Sequence, residues 1–112
     1  MSECIFCEIA AGRSPASVEY EDDRVVAFQD IYPKAPLHIL VIPKQHIPSV
    51  VDLTEVDADL VSHMVFVAKK LAEQRHLRGY KLIFNVGKEG GQIIFHLHLH
   101  LLGGWEKPAG EI

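Results

Sequence analysis

Apolar and polar positions alternate along this chain in blocks whose period changes several times, and each change predicts an element. From Ile5 to Ala11 the pattern is short and partly apolar. It stops at Gly12 with Pro15 beyond, which predicts one or two helical turns serving as a lid or flap. Val18 to Tyr20 and Arg24 to Gln29 are β-prone runs joined by Glu21-Asp22-Asp23, a polar turn of hairpin length. After Pro33 and Pro36, Leu37 to Ile42 reads as a strand apolar on both faces, interrupted by His38 and ended by Pro43.

Thr54 with Asp57 has the form of a capping box, and Leu60, Met64, Val67, Ala68 and Leu71 then recur at helical spacing. Arg75, His76 and Arg78 before Gly79 suit that helix's C-terminus. Lys81 to Asn85 returns as a strand, Gly87 to Gly91 is a glycine-rich turn, and Ile93 to Leu102 is the longest strand candidate. The predicted fold class is α+β, an antiparallel sheet of about five strands with a short N-terminal helix and one long helix. That long helix falls between the third and fourth strands.

A length of 112 residues predicts a single domain spanning 1–112. With 48% hydrophobic and 23% charged residues the composition is that of an ordinary globular chain. The net charge is -4 and no basic stripe points to a nucleic-acid partner. Met1-Ser2-Glu3-Cys4 has neither a positive n-region nor an apolar h-region, and no apolar run approaches the ~20 residues of a membrane span. A cytoplasmic protein without a membrane partner is expected. Cys4 and Cys7 are the only cysteines, and bridging them would close a loop too small to stabilise much. Their Cys-x-x-Cys spacing admits a zinc or a redox reading, and the redox reading lacks its usual βαβ setting.

In Phe95-His96-Leu97-His98-Leu99-His100-Leu101, strand alternation puts Phe95 and the leucines on one face and all three imidazoles on the other. Burial of those apolar side chains, worth ~1.5–3 kcal/mol each, would anchor the strand under the histidines. Packing alone explains such a row poorly, because buried imidazoles need partners and adjacent ones repel when protonated. Two chemistries fit. His-x-His can chelate zinc, given a further ligand from elsewhere. Alternatively a neutral imidazole held in one tautomer can attack phosphorus while its neighbours donate to phosphate oxygens or to the leaving group. The preceding Gly87-Lys88-Glu89-Gly90-Gly91-Gln92 would let backbone amides approach an anion, although glycines also simply make hairpins.

Gly90-Gly91-Gln92 followed by His96-Leu97-His98-Leu99-His100-Leu101-Leu102-Gly103-Gly104 resembles the signature of the histidine triad (HIT) family, and the glycine pair resembles its HINT-like nucleoside phosphoramidase branch. The likeness runs upstream through Phe6, Glu21-Asp22-Asp23-Arg24, Ala27-Phe28, Asp30-Ile31, Pro33-Lys34-Ala35-Pro36 and His38 to Pro43. It therefore covers nearly the whole chain.

The resemblance implies a hydrolase of purine nucleoside phosphoramidates. His98 would form a covalent nucleotidyl-histidine, and nucleoside monophosphate and amine would be released without a cofactor for the chemistry. It assigns His100 and His38 to the catalytic phosphate site and Asp30 to the ribose hydroxyls. Ile31, Phe6, Ile9, Phe28 and Leu40 become the purine pocket, although periodicity alone makes the last four core. Asn85, Gly91, Gln92 and Ile94 also fall on the substrate site, where the amides of Asn85 and Gln92 either orient phosphate or tie down the turn. Two positions depart from the family. Ile93 stands where a hydroxyl residue often donates to phosphate, and Ser14 where a branched apolar residue often walls the base.

The same resemblance makes Cys4, Cys7, His46 and His96 a closed, structural zinc site, and implies a homodimer whose two sheets run together. His63 and His76 match no family site residue and read as surface or helix-end histidines. Alternative functions are a dinucleoside polyphosphate hydrolase or nucleotidyl transferase using the same histidine, and a nucleotide-binding interaction protein without turnover. A zinc-storage module is a further alternative, one that leaves Asp30, His38 and His98 unexplained.

Overall fold

In the computed structural model, which describes residues 4–111, two α-helices and five strands follow one another along the chain. Residues 1–3, from which the lack of a leader was read, lie outside the described part. Helix α1 is Ile5–Ala10, the strands are β1 (Val18–Glu21), β2 (Val25–Gln29) and β3 (Leu37–Pro43), helix α2 is Ala58–Gln74, and β4 (Tyr80–Ile83) and β5 (Leu99–Gly103) follow. They form one five-stranded sheet in the order β1-β2-β3-β5-β4, every pairing antiparallel. The long helix lies between the third and fourth strands, as the periodicity predicts.

Side chains leave a strand alternately on its two faces, so each strand serves two layers. Val25, Ala27, Ile39, Val41, Leu99 and Leu101 pack with Met64, Val67, Ala68, Leu71 and Ala72 of α2 in the main core. Val26, Phe28, Leu40 and Ile42 pack on the opposite face with Phe6 of α1. Each valine, leucine, isoleucine, methionine or phenylalanine so buried contributes ~1.5–3 kcal/mol, and the alanines less. Register sets His38 opposite Leu102 and Leu40 opposite His100, bringing distant histidines onto neighbouring positions of two central strands.

The capping box forms: the Thr54 amide donates to Asp57 Oδ2 at 2.9 Å, and α2 starts at Ala58 after a 3-10 turn. Its end differs from the sequence expectation. The helix stops at Gln74, well before Gly79, with His76 at φ 56 taking the left-handed position and the Leu77 amide returning to the Ala72 carbonyl at 3.1 Å. His63, on α2, bonds Asp22 Oδ2 at 2.5 Å, and the Arg75 guanidinium pairs with Glu19, so the helix is tied to the β1–β2 hairpin.

The long strand expected from Ile93 to Leu102 is shorter, beginning only at Leu99. Upstream, the Leu97 amide donates to the Ile47 carbonyl at 2.6 Å, and the Gln92 side chain takes the Ile94 carbonyl at 3.0 Å. This stretch therefore pairs with the loop after β3 and with its own turn. Leu97, Leu99 and Leu101 still face the core, but Phe95 is 46% exposed, which corrects its placement among the core-facing residues. Likewise β4 ends at Ile83, short of Asn85. Among the described residues no helix is long and apolar enough to cross a membrane.

Candidate active site

The face of the sheet opposite α2 carries a row of imidazoles whose protonation can be worked out from their hydrogen bonds. His98 Nδ1 lies 2.7 Å from the His96 carbonyl oxygen, which can only accept, so Nδ1 carries the proton and Nε2 keeps its lone pair. Burial pushes the His98 pKa below the ordinary value, against the opposing pull of that carbonyl and of Asp30, so the ring is neutral at pH 7. A neutral imidazole with an unshared Nε2 is a nucleophile or a base.

The partner rings form a chain of fixed sense. The Lys34 amide donates to His38 Nδ1 at 3.0 Å, so the proton of His38 sits on Nε2. That Nε2–H donates to His100 Nδ1 at 2.9 Å, with Asp30 Oδ2 further off at 3.5 Å. His100 therefore holds its proton on Nε2, a buried N–H without a hydrogen-bond partner among the described residues. An orphaned buried donor costs about 1–3 kcal/mol unless a ligand satisfies it. Burial first, then the His98 and His38 rings, lowers His100 to about 4. The rings of His98 and His100 lie 4.9 Å apart, centre to centre. Thus a lone pair at His98 and a donor at His100 sit side by side, a pairing suited to attack on an acyl or phosphoryl centre with stabilisation of its oxygens.

A cavity of about 780 Å³ opens onto these rings. Of the residues anticipated from sequence, it gathers Phe6, Ile9, Phe28, Asp30, Ile31, His38, Leu40, Asn85, Gly91, Ile94, His98 and His100. Phe6 stands edge-on to Phe28 at 5.5 Å and to His98 at 5.2 Å between centroids, linking the apolar lobe to the imidazole row. Asn85 Nδ2 donates to the Gly90 carbonyl at 2.9 Å and so also holds the glycine turn. Only glycine fits at position 90, where a Cβ would meet the Val86 carbonyl oxygen at 2.3 Å.

Gln92 does not line this cavity. It is buried, and its amide accepts from Ser49 Oγ and the Gly87 amide and donates to the Pro48 and Ile94 carbonyls, which is the turn-tying role. Lys34 and Tyr32 line the cavity without having been singled out from sequence. Lys34 was legible only as part of the Pro33–Pro36 stretch before His38. The departures Ser14 and Ile93 both line it as well.

At the α1 end a second cluster forms. One donor atom each of Cys4, Cys7, His46 and His96 lies within 4.8 Å of the others. His96 Nε2 donates to the Pro43 carbonyl at 2.7 Å, which leaves its Nδ1 lone pair toward Cys4 Sγ and Cys7 Sγ, each at 3.4 Å. Two thiols and two imidazoles, one with its free nitrogen already turned inward, are a donor set that fits zinc. Asp30, His38 and His100 also bring donor atoms within 4.8 Å. There the proton on His38 Nε2 makes that nitrogen a hydrogen-bond donor, so this trio reads as a relay.

An antiparallel α+β sheet carrying these imidazoles above a cavity defines a histidine triad hydrolase, and the chain belongs to that family. Residues 3–110 match the family described as "Scavenger mRNA decapping enzyme C-term binding". A purine nucleoside phosphoramidase of Escherichia coli (strain K12) is 44% identical over 112 residues, covering 98% of this chain and 92% of that protein. The crystal structure of a HIT family hydrolase from Legionella pneumophila superposes with a TM-score of 0.92 at 47% identity, covering 96% of this chain and 97% of the other. A Zn-bound histidine triad family protein from Mycobacterium smegmatis superposes with a TM-score of 0.84 at 32% identity, covering 96% of this chain and 78% of that one.

Proposed function

We propose that this enzyme hydrolyses purine nucleoside phosphoramidates through a covalent intermediate on His98. The observation that carries the reading is the fixed tautomer of His98, whose Nδ1–H is bound by the His96 carbonyl so that a neutral Nε2 is free. The likeness to the Escherichia coli purine nucleoside phosphoramidase supports the substrate class.

In the first step the His98 Nε2 lone pair forms a bond to phosphorus, the P–N bond breaks, and the amine departs with that electron pair and takes up a proton. Phe6, Ile9, Phe28, Leu40 and Ile31 hold the purine, and Asp30 accepts from the ribose hydroxyls. The orphaned Nε2–H of His100 donates to a phosphate oxygen, and Asn85, Gly91 and Ile94 complete the wall. His38 orients His100. In the second step water attacks phosphorus and gives up a proton to solvent, replacing the one the amine drew from solvent, the P–Nε2 bond breaks with its electron pair returning to His98, and nucleoside monophosphate leaves. The sum is phosphoramidate plus water giving monophosphate plus amine, and no cofactor enters the chemistry. Gln92 acts by holding the turn.

Cys4, Cys7, His46 and His96 would hold a zinc ion whose role is structural, pinning α1 to the sheet. The chain would act as one domain in the cytoplasm, as a homodimer joined along the edge strand β4, where Tyr80 and Leu82 are exposed.

The test is intact-protein mass spectrometry of the His100→Ala variant after brief mixing with adenosine 5′-phosphoramidate. An added adenylyl mass is expected, and it should vanish when His98→Ala is combined with it. Absence of the adduct together with absence of turnover by the native protein overturns the reading. Faster turnover of a dinucleoside polyphosphate than of the phosphoramidate would move the assignment to that neighbouring class.

A further inference from the structure

We infer that Cys4 and Cys7 form a redox-sensitive clamp on the purine pocket: their oxidation to a disulfide releases α1 and loosens nucleotide binding while leaving the nucleophile in place. The inference rests on the nucleotide and zinc readings above and adds regulation to them.

Helix α1 has six residues, well below the ~12–15 at which an isolated helix begins to hold in water, so contacts with the sheet keep it in place. Phe6 is its one buried side chain, and the cysteines stand on either side of it in sequence. Cys7 Sγ lies 3.2 Å from His46 Nδ1, in the loop after β3, and both sulfurs lie 3.4 Å from His96 Nδ1, just before β5. Phe6 lines the cavity and meets Phe28 and His98 edge-on. The aromatic wall of the pocket is thus held from both sides by groups whose chemistry changes with oxidation.

The oxidation balances with a peroxide as oxidant. One thiolate sulfur displaces hydroxide from hydrogen peroxide, giving a sulfenic acid. The second thiolate displaces hydroxide from that sulfur, and the two hydroxides take up two protons to leave as water. The sulfurs start within 4.8 Å of each other in one turn, where the Cys7 amide donates to Cys4 Sγ at 3.3 Å. Both cysteines are half-buried and His46 beside them is exposed, so a small oxidant reaches them. Thiolates are the metal ligands, so the new bond withdraws both sulfurs from His46 and His96 together. The loop it closes is too small to stabilise the fold in compensation.

The nucleophile is anchored independently. The His96 carbonyl that holds His98 Nδ1 is flanked by the Leu97 amide on the Ile47 carbonyl and by His96 Nε2 on the Pro43 carbonyl, neither of which involves a thiol. Oxidation therefore removes a wall that ground state and transition state share, a loss that falls on KM and spares kcat.

The test treats the native, zinc-loaded protein with hydrogen peroxide. Peptide mapping reads the Cys4–Cys7 bond, a chromogenic chelator reads released zinc, and calorimetry reads the affinity for adenosine monophosphate. Disulfide formation should release the zinc and raise both the Kd for adenosine monophosphate and the KM for adenosine 5′-phosphoramidate about tenfold or more, with kcat within about threefold. Dithiothreitol with added zinc should restore all three. Phe6→Ala should bind as weakly as the oxidised protein, with oxidation adding less than about twofold. A pair that peroxide leaves unbridged, a Kd that moves less than about threefold once the bond has formed, or a loss mainly in kcat overturns the inference. Nucleotide affinity needs no turnover, so the underlying reading is scored separately. Weakened binding in a protein that does not cleave the phosphoramidate keeps the clamp and removes the reaction, whereas cleavage indifferent to the disulfide removes the clamp alone.

Discussion

Replacing His38 by phenylalanine should slow the enzyme without emptying its pocket, and the size of the effect follows from two hydrogen bonds. His38 accepts from the Lys34 amide at 3.0 Å and donates to His100 Nδ1 at 2.9 Å, and it is itself buried. Phenylalanine keeps the volume and removes both bonds, leaving the Lys34 amide and His100 Nδ1 without their partners; both bonds are part-buried, so each loss costs at most about 1–3 kcal/mol. The Lys34 amide is a loss to the folded state. The His100 loss falls on catalysis, because the ring is no longer held with its proton on Nε2. At about 1.4 kcal/mol per factor of ten, kcat should drop roughly ten- to a hundredfold with a smaller change in KM. His38→Gln has an oxygen to accept from Lys34 and an N–H to donate to His100, and should recover much of the loss. Steady-state hydrolysis of adenosine 5′-phosphoramidate separates kcat from KM, and nitrogen NMR of His100 reads the tautomer. A folded His38→Phe protein with kcat within threefold of native, or with the His100 proton still on Nε2, would refute the relay.

Burial sets His100 at about 4 and draws His38 and His98 below 6.5, so these rings stay neutral as pH falls through 6.5. Activity that needs neutral imidazole is complete above the folded pKa values and lost below them, so the acid limb of the kcat/KM profile should lie under pH 6.5; a limb above it contradicts the burial argument. Metal analysis should find about one zinc ion per chain, and Cys7→Ser should lower both zinc content and Tm, the latter by roughly 5–10 °C. A metal-free native protein with an unchanged Tm in the variant argues against the site. Leu101→Ala, at a fully buried core position, should cost about 2–5 kcal/mol in urea unfolding. A loss below 1 kcal/mol would mean that the α2 face is not the core.

Period and spacing sufficed for most of the scaffold, because each element buries one side. Leu37 to Ile42, the capping box at Thr54 and the helical repeat through Leu71 all form. Where non-local hydrogen bonds compete with local pattern, the pattern misleads. Phe95 to Leu101 alternates like a strand, yet the Ile47 and Pro43 carbonyls, far away in sequence, claim the Leu97 amide and the His96 ring. Gly79 resembles a helix stop, while His76 makes the turn because Leu77 must reach the core. The cavity's residues were largely legible through family resemblance, whereas alternation alone put Phe28 and Leu40 in an ordinary core. The tautomers were not legible at all, since each depends on a carbonyl or amide that only folding brings near.

The two layers of the sheet also have an arithmetic. On β2, β3 and β5 the odd-numbered residues Val25, Ala27, Ile39, Val41, Leu99 and Leu101 fold the protein against α2, while the even-numbered Phe28, His38, Leu40 and His100, with His98 just before β5, line the cavity. Single substitutions can therefore drift on the even set, changing what the pocket prefers, with little disturbance to the odd set that supplies stability. Insertions enjoy no such freedom. One residue added within β3 or β5 would exchange the two sets beyond that point, carrying histidines into the oily layer and leucines into the catalytic one. Selection on such a chain can tune residue identity at the site while holding strand length fixed, so its variation should accumulate as replacements on one face and as length changes only in the connecting loops.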